Sequence, residues 1–257
     1  DTILVLMPGN KTQREVLFVS EPNPRREHRE GHILTKEEAT AQSGIATVYY
    51  TSQFEPFLAA MFARRVFGEP TLAETKEFET FFAAVSSGRA NLALPLGVPP
   101  APSDPLTLPY EFANKARARY FTTSISDSFD LLANLRQVKS AYEQSVLQQS
   151  ADVSSDAHIA GMRTARPGRF EYEVEAAIEQ AFLARGGSGW GYPSIVGSGP
   201  NATILHYEAS RRQMQDGDLL LVDAAANFQG YTVDITRTYP VNGRFTQAQK
   251  DIYRVIL

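Results

Sequence analysis

Residues 218–240 constrain the fold most, because they have the pattern of two β-strands joined by a tight turn. Residues 219–222 are aliphatic, and the run that ends at Pro240 alternates β-branched with polar residues. Residues 227–230 lie between the two runs and have the composition of a turn. The pattern therefore predicts an antiparallel hairpin.

Two aspartates, Asp223 and Asp234, occupy this hairpin. If the turn is centred between Phe228 and Gln229, the two aspartates lie directly opposite each other, with Cβ atoms about 4.5–5.5 Å apart. Two carboxylates that close need a cation or a shared proton. The pair suits two divalent metal ions, which lie about 3.5–4 Å apart in dinuclear sites. The spacing leaves open the alternative of an aspartate that caps a turn or is solvated.

Composition narrows the chemistry of such a site. The 257 residues include no cysteine, which excludes zinc–thiolate sites, iron–sulfur clusters and a cysteine nucleophile. Oxygen and imidazole ligands favour manganese, cobalt or zinc. A net charge of −4 argues against nucleic acid or an anionic membrane as a partner. No apolar run approaches the ~20 residues of a membrane helix, so we expect a soluble, cytoplasmic protein.

Strand and helix patterns alternate along the first half of the chain, which predicts an α/β (α+β) fold. The predicted strands are residues 3–7, 16–19 and 46–50, and the predicted helices are residues 54–67 and 75–85. The charged residues 25–30 and the proline-rich residues 95–109 predict loops.

The second half is predicted to begin with two helices. Apolar spacing indicates a long helix over residues 128–162 and a second one over residues 171–185, with acidic residues near the positive end of the second. We place the domain boundary near residue 130, which gives domains of residues 1–130 and 131–257.

A glycine-rich segment, residues 186–199, precedes the hairpin. It lacks the glycine patterns of nucleotide-binding loops, but its glycines permit close backbone approach beside a site. His206 ends a short strand-like run after this segment. A single histidine is more often structural than catalytic, and we interpret His28, His32 and His158 as structural.

Three strings within residues 191–257 carry a resemblance to a known family. They are Gly-Tyr-Pro-Ser-Ile-Val-Gly-Ser-Gly-Pro-Asn-Ala-Thr-Ile-Leu-His-Tyr, Asp-Gly-Asp-Leu-Leu-Leu-Val-Asp-Ala and Gly-Tyr-Thr-Val-Asp-Ile-Thr-Arg-Thr-Tyr-Pro-Val-Asn-Gly-Arg-Phe-Thr. Together they resemble the bacterial aminopeptidase P (Xaa-Pro aminopeptidase) family of pita-bread metallopeptidases. The close resemblance begins near Leu132, and the first half is similar, more loosely, to that family's creatinase-like N-terminal domain.

The resemblance implies a creatinase-like α/β domain followed by a pita-bread catalytic domain with a curved antiparallel sheet, each partial. It implies a metallo-exopeptidase that cleaves before a proline in second position, with a hydroxide activated by two metal ions, most often manganese. Asp223 and Asp234 match metal ligands, and His206 matches the active-site histidine that contacts substrate. Tyr192 lies near them as a further substrate-binding candidate. The resemblance also implies a homodimer or homotetramer.

The chain also departs from the family pattern. The family completes its metal site with a histidine and two glutamates that follow the hairpin, and the sequence stops at Leu257 before them. We therefore expect a polypeptide truncated at both ends, which alone binds metal poorly and is inactive.

Three alternatives to this interpretation are compatible with parts of the pattern. They are a prolidase restricted to Xaa-Pro dipeptides, a metal-free creatinase-like hydrolase, and a non-catalytic pita-bread module that binds peptides or histones. Both aspartates argue against the metal-free enzyme, and the aspartates together with His206 argue against the module. The sequence does not separate the prolidase from the aminopeptidase.

Overall fold

The computed structural model describes residues 2–256, and the chain divides into two compact units, Asp1–Arg136 and Gln137–Leu257. Both units mix helices with strands, which confirms the predicted α/β character.

The first unit contains a mixed sheet in the order β1-β2-β3 and a parallel pair, β4-β5. Its strands are β1 (Ile3–Leu6), β2 (Glu15–Val19), β3 (Thr47–Tyr50), β4 (Asn91–Leu94) and β5 (Ser124–Asp127). Its helices are α1 (Pro24–Glu30), α2 (Lys36–Ser43), α3 (Phe54–Phe62), α4 (Leu72–Glu77), α5 (Glu79–Ser86) and α6 (Leu108–Arg119), and α7 (Phe129–Gln137) begins in this unit and ends at the first residue after it.

The central strand β2 organises the core of this unit. It pairs antiparallel with β1 and parallel with β3, so that Leu17 lies opposite Leu4 on one side and Val48 on the other. Its last four residues are buried, because the chain covers both faces of the strand. The aromatic rings of Phe18, Phe57 and other residues pack together on one of these faces.

The predicted strands of this unit are confirmed, whereas two of its other predictions are wrong. Residues 25–30, predicted as a loop, belong to helix α1, which has no buried residue. The helix starts after Asn23, because the side chain of Asn23 accepts hydrogen bonds from the amides of the first turn. The helix predicted over residues 75–85 is two helices, α4 and α5, that meet at the buried Phe78. Of the loop predicted over residues 95–109, residues 95–107 form neither helix nor strand, whereas Leu108 and Pro109 already belong to helix α6.

The second unit packs two long helices with an antiparallel sheet in the order β10-β8-β7. Its helices are α8 (Ala141–Thr164), α9 (Glu171–Ala184) and α10 (Gln247–Ile256). Its strands are β6 (Gly189–Trp190), β7 (Ile195–Ser198), β8 (Leu219–Asp223), β9 (Ala226–Asn227) and β10 (Thr236–Pro240), and β6 pairs with β9. No helix within residues 2–256 is long and apolar enough to span a membrane.

The single long helix predicted over residues 128–162 is wrong, because two helices, α7 and α8, occupy this stretch. A capping box starts the second helix: the Glu143 amide donates to Ser140 Oγ, and the Ser140 amide donates to the Glu143 carboxylate at 2.7 Å. These two bonds satisfy amides that have no partner inside a helix, so α8 begins after Ser140. The apolar spacing gives no sign of this start, because it continues through the break between α7 and α8.

The hairpin forms as predicted, but its turn is centred one residue further along. Phe228 and Tyr231 pair across a turn in which Gln229 has φ 51° and Gly230 has φ 81°. Positive φ at both central residues is the signature of a type I′ turn, which matches the twist of the strands that it joins. The hairpin register follows from this turn.

The expectation that Asp223 and Asp234 lie directly opposite each other is therefore wrong. Asp223 pairs with Thr236 instead, and the ladder continues with a hydrogen bond from the Ala224 amide to the Ile235 carbonyl. A shift of two residues along a strand preserves the face of the side chain, whereas a shift of one reverses it. The two aspartates are thus diagonal neighbours on one face of the hairpin.

Candidate metal centre

Asp223 is the last residue of β8, the middle strand of the sheet. It pairs with Thr236 of β10 on one side and with Ile195 of β7 on the other. The residues before and after it, Val222 and Ala224, are completely buried, whereas Asp223 itself is half-buried. The carboxylate is therefore carried by a backbone that is held on both edges.

Tyr192 connects the neighbourhoods of the two aspartates. Its hydroxyl donates to Asp223 Oδ1 at 2.6 Å and accepts from the amide of Ile235, the residue after Asp234, at 3.4 Å. Burial raises the pKa of Tyr192 well above its ordinary value, and the hydrogen bond to Asp223 and the charges of both aspartates raise it further. The phenol thus stays protonated and can act as a permanent donor to Asp223.

Asp234 lies in residues 232–235, which form neither helix nor strand and lie just before β10, and the residue is exposed. Its charge contributes to the raised pKa of Tyr192, so the structure brings Asp223, Asp234 and Tyr192 into one electrostatic neighbourhood. Two oxygen-bearing carboxylates on one face form a donor set that suits a hard or borderline divalent ion.

The glycine-rich segment brings Tyr192 to this position by close backbone packing. Gly191 donates its amide to the Ala225 carbonyl at 2.8 Å, and a Cβ atom built on Gly191 would overlap the side chain of Thr232. The absence of a side chain at residue 191 therefore lets the backbone beside Tyr192 lie against the segment that carries Asp234.

We expect Gly191→Ala to lower the free energy of unfolding of the second unit by about 1–3 kcal/mol, because the added methyl group must displace Thr232. Chemical denaturation followed by hydrogen exchange at residues 189–192 and 232–235 measures this effect. Gly9→Ala is the control, because a Cβ atom at Gly9 has no neighbour within 4 Å. Equal stability of the two variants would contradict the packing argument.

His206 lies in the loop between β7 and β8, where its side chain is exposed and its backbone is left-handed, with φ 55°. Within residues 2–256, no hydrogen bond or ion pair joins His206 to Asp223, Asp234 or Tyr192. The imidazole is thus exposed to solvent. It belongs to a different loop from the strand and the segment that carry Asp223 and Asp234.

No group of three His, Asp or Glu side chains close enough to hold a metal ion occurs within residues 2–256. Asp223 and Asp234 are the two candidate ligands that the sequence predicts in this part of the protein. They fit a metal ion by charge and by the nature of their donor atoms. A complete coordination shell needs further ligands.

One face of α8 supports the backbone behind Asp223, a feature that the sequence analysis missed. Ser150, Ser154 and His158 recur every four residues and bond to the buried backbone of Ala224 and Ala226. The Nε2 atom of His158 lies 3.0 Å from the Ala224 carbonyl, and burial lowers its pKa. These contacts give His158 the structural role expected for it.

Two family models match the chain: residues 145–257 match metallopeptidase family M24, and residues 1–67 match the aminopeptidase P N-terminal domain. A structure described as a putative aminopeptidase P from Bacillus anthracis superposes with a TM-score of 0.80, at 29% identity over 94% of this chain and 52% of that chain. The chain is thus similar to the aminopeptidase P family in both of its halves. The match to a metallopeptidase family implies divalent metal ions.

Named relatives agree with this assignment. The Xaa-Pro aminopeptidase of Escherichia coli is 46% identical over 123 residues, which are 48% of this chain and 28% of that protein. Human Xaa-Pro aminopeptidase 3 is 29% identical over 261 residues, which cover 100% of this chain and 46% of that protein. The chain thus spans less than half the length of these two curated relatives.

Proposed function

We propose that the protein containing this chain hydrolyses the peptide bond between an N-terminal residue and a following proline. The observation that carries the proposal is the pair Asp223 and Asp234 on one face of the hairpin, beside the Tyr192 hydroxyl, in a domain that matches the M24 metallopeptidases. Relatives named Xaa-Pro aminopeptidase support the choice of substrate.

In this proposal, Asp223 and Asp234 supply oxygen ligands to two divalent ions, and manganese is the metal that we expect. Divalent ions bound there would lower the pKa of a water molecule and polarise the scissile carbonyl. Tyr192 holds the Asp223 carboxylate in one orientation through its short hydrogen bond, as outer hydrogen-bond partners do at metal sites.

His206 is the residue that we assign to the substrate. Its imidazole is exposed, so it is free to hydrogen-bond a peptide near the scissile bond. Its backbone is left-handed, which is uncommon outside glycine and is concentrated at functional sites. We further propose that the protein is cytoplasmic. We also propose that it forms a homodimer or homotetramer, and light scattering of the purified protein tests this oligomeric state.

The experiment that tests this function compares three peptides with the protein expressed from its complete coding sequence and supplied with manganese. We expect release of arginine from Arg-Pro-Pro, because proline occupies the second position, and none from Arg-Ala-Pro. A chelator should remove the activity and manganese should restore it.

The dipeptide Arg-Pro separates the alternatives. Hydrolysis of Arg-Pro without hydrolysis of Arg-Pro-Pro would identify a prolidase instead. Binding of Arg-Pro-Pro without any cleavage, in protein that retains its metal, would identify a non-catalytic peptide-binding module.

A further inference from the structure

A carboxylate that is not one of the candidate metal ligands is completely buried at the start of α9. Glu171 has no exposed surface, although it is the first residue of the helix. A buried carboxylate is costly unless hydrogen bonds replace its hydration. Helix N-termini favour acidic residues at exposed positions as well as buried ones. The position of Glu171 at a helix N-terminus therefore does not explain why it is buried.

Five donors from the loop that contains His206 supply those hydrogen bonds. The Ser198 amide and hydroxyl each donate to Glu171 Oε1 at 2.7 Å, and Asn201 Nδ2 donates to the same atom at 3.2 Å. The Tyr207 hydroxyl and the Arg212 amide donate to Oε2 at 2.8 and 3.0 Å. We name residues 198–212 the His206 loop. The Glu171 carboxylate thus accepts hydrogen bonds from both ends and from the middle of this loop.

The donors are themselves tied together. Burial raises the pKa of Tyr207, and the hydrogen bond to Glu171 raises it further, so the phenol stays protonated and keeps donating. Arg212 donates from its guanidinium to Ser198 Oγ at 2.7 Å and forms an ion pair with Asp218. The Arg212 carbonyl also accepts from the Glu171 amide at 3.1 Å. The loop is therefore fixed at several points around one buried charge.

The residue next to His206 is one of these fixed points. His206 itself holds a left-handed backbone conformation, which costs about 1 kcal/mol or more for a residue other than glycine and persists only where the surroundings impose it. Tyr207 provides such a restraint, because its ring is anchored on Glu171 while the His206 ring points to solvent.

We propose that Glu171 is a positioning residue, which fixes the His206 loop and thereby the place at which the imidazole meets the substrate. This proposal rests on the function proposed above for His206. Glu171 does not touch the substrate: it acts through Ser198, Tyr207 and Arg212.

The variant that tests the proposal is Glu171→Gln, which has nearly the same shape. Its amide nitrogen cannot accept hydrogen bonds, so one set of loop donors loses its acceptor. We expect faster hydrogen exchange at the Ser198 amide or at the Arg212 amide, whichever faces the new NH2 group, because the first bonds to Oε1 and the second to Oε2. Glu173→Gln is the matched control, because Glu173 lies in the same helical turn and bonds to the amide of Phe170 instead of the loop. Unchanged exchange in Glu171→Gln would overturn the proposal.

A double-mutant cycle with His206→Ala, in the protein expressed from its complete coding sequence, tests whether the effect passes through the imidazole. We expect Glu171→Gln to lower kcat/KM for Arg-Pro-Pro by about tenfold to a hundredfold, because a small displacement of a substrate-contacting group costs that much. In the His206→Ala background the same change should cost less than about twofold. Equal losses in both backgrounds would show a merely structural role and overturn the proposal.

Failure of the proposed function is distinguishable from failure of this inference. If the wild-type protein cleaves none of the three peptides, the proposed function is refuted together with the assignment of His206. The exchange measurement still decides whether Glu171 holds the loop, because it needs no activity.

Discussion

Asp234→Asn should reduce hydrolysis of Arg-Pro-Pro by more than about a hundredfold in the protein that contains this chain. In the proposed site, the amide would replace a charged oxygen ligand with a neutral group that binds divalent ions weakly. Loss of a group that supports a ligand already costs about ten- to a hundredfold, and loss of the ligand itself should cost more. The substitution keeps the shape of the side chain, so the defect should lie in metal binding.

Two measurements separate this defect from loss of the fold. Metal content should fall in Asp234→Asn, whereas the free energy of unfolding of the metal-free protein should stay within about 0.5 kcal/mol, because Asp234 is exposed. Asp152→Asn is the control, since it makes the same chemical change on the exposed surface of α8. Full activity in Asp234→Asn would remove the basis for the two-metal assignment.

The hairpin shows how far the sequence predicts this site. The aliphatic run that leads to Asp223 and the alternating run around Asp234 were sufficient to predict two antiparallel strands with both carboxylates on one face. The exact register was missed, because it depends on Gln229 adopting a left-handed conformation beside Gly230. Glutamine is not among the residue types that are typical of a type I′ turn, so the composition of the turn placed its centre one residue too early.

Helix boundaries were predicted where strong local signals coincide. Helix α9 was predicted over residues 171–185 and forms over Glu171–Ala184, because acidic residues mark its start and paired glycines follow its end. The break before α8 was missed although its signal was present, since Ser140 and Glu143 have the spacing of a capping box. The continuing apolar spacing outweighed that signal.

The supports around the site were beyond prediction from local patterns. Glu171 bonds to Arg212, which is 41 residues away in sequence, and Ser154 bonds to Ala226, which is 72 residues away. Such partners are set by the packing of α8 and α9 with the sheet. The recurrence of Ser150, Ser154 and His158 on one helical face was visible in the sequence, but without the fold it could not show which backbone they meet.

The packing of α9 itself leads to the largest expected change in stability. Phe182 has no exposed surface and lies in one cluster with Ile178, Val196 and Leu220, which belong to the helix and to the sheet. We expect Phe182→Ala to lower the free energy of unfolding of the second unit by about 3–5 kcal/mol, the usual cost of removing a buried ring. Denaturant unfolding followed by hydrogen exchange at the β8 amides measures the change within this unit.

Leu183→Ala is the control for this prediction, because Leu183 is the next residue of the same helix and is 62% exposed. It should change stability by no more than about 0.5 kcal/mol, and similar losses in the two variants would contradict the packing seen for Phe182. Because α9 carries Glu171 at its other end, Phe182→Ala should also increase exchange at the Ser198 and Arg212 amides, together with the rest of the unit. Glu171→Gln should instead act selectively at one of those two amides, so the pattern of exchange separates the support of the fold from the positioning of the His206 loop.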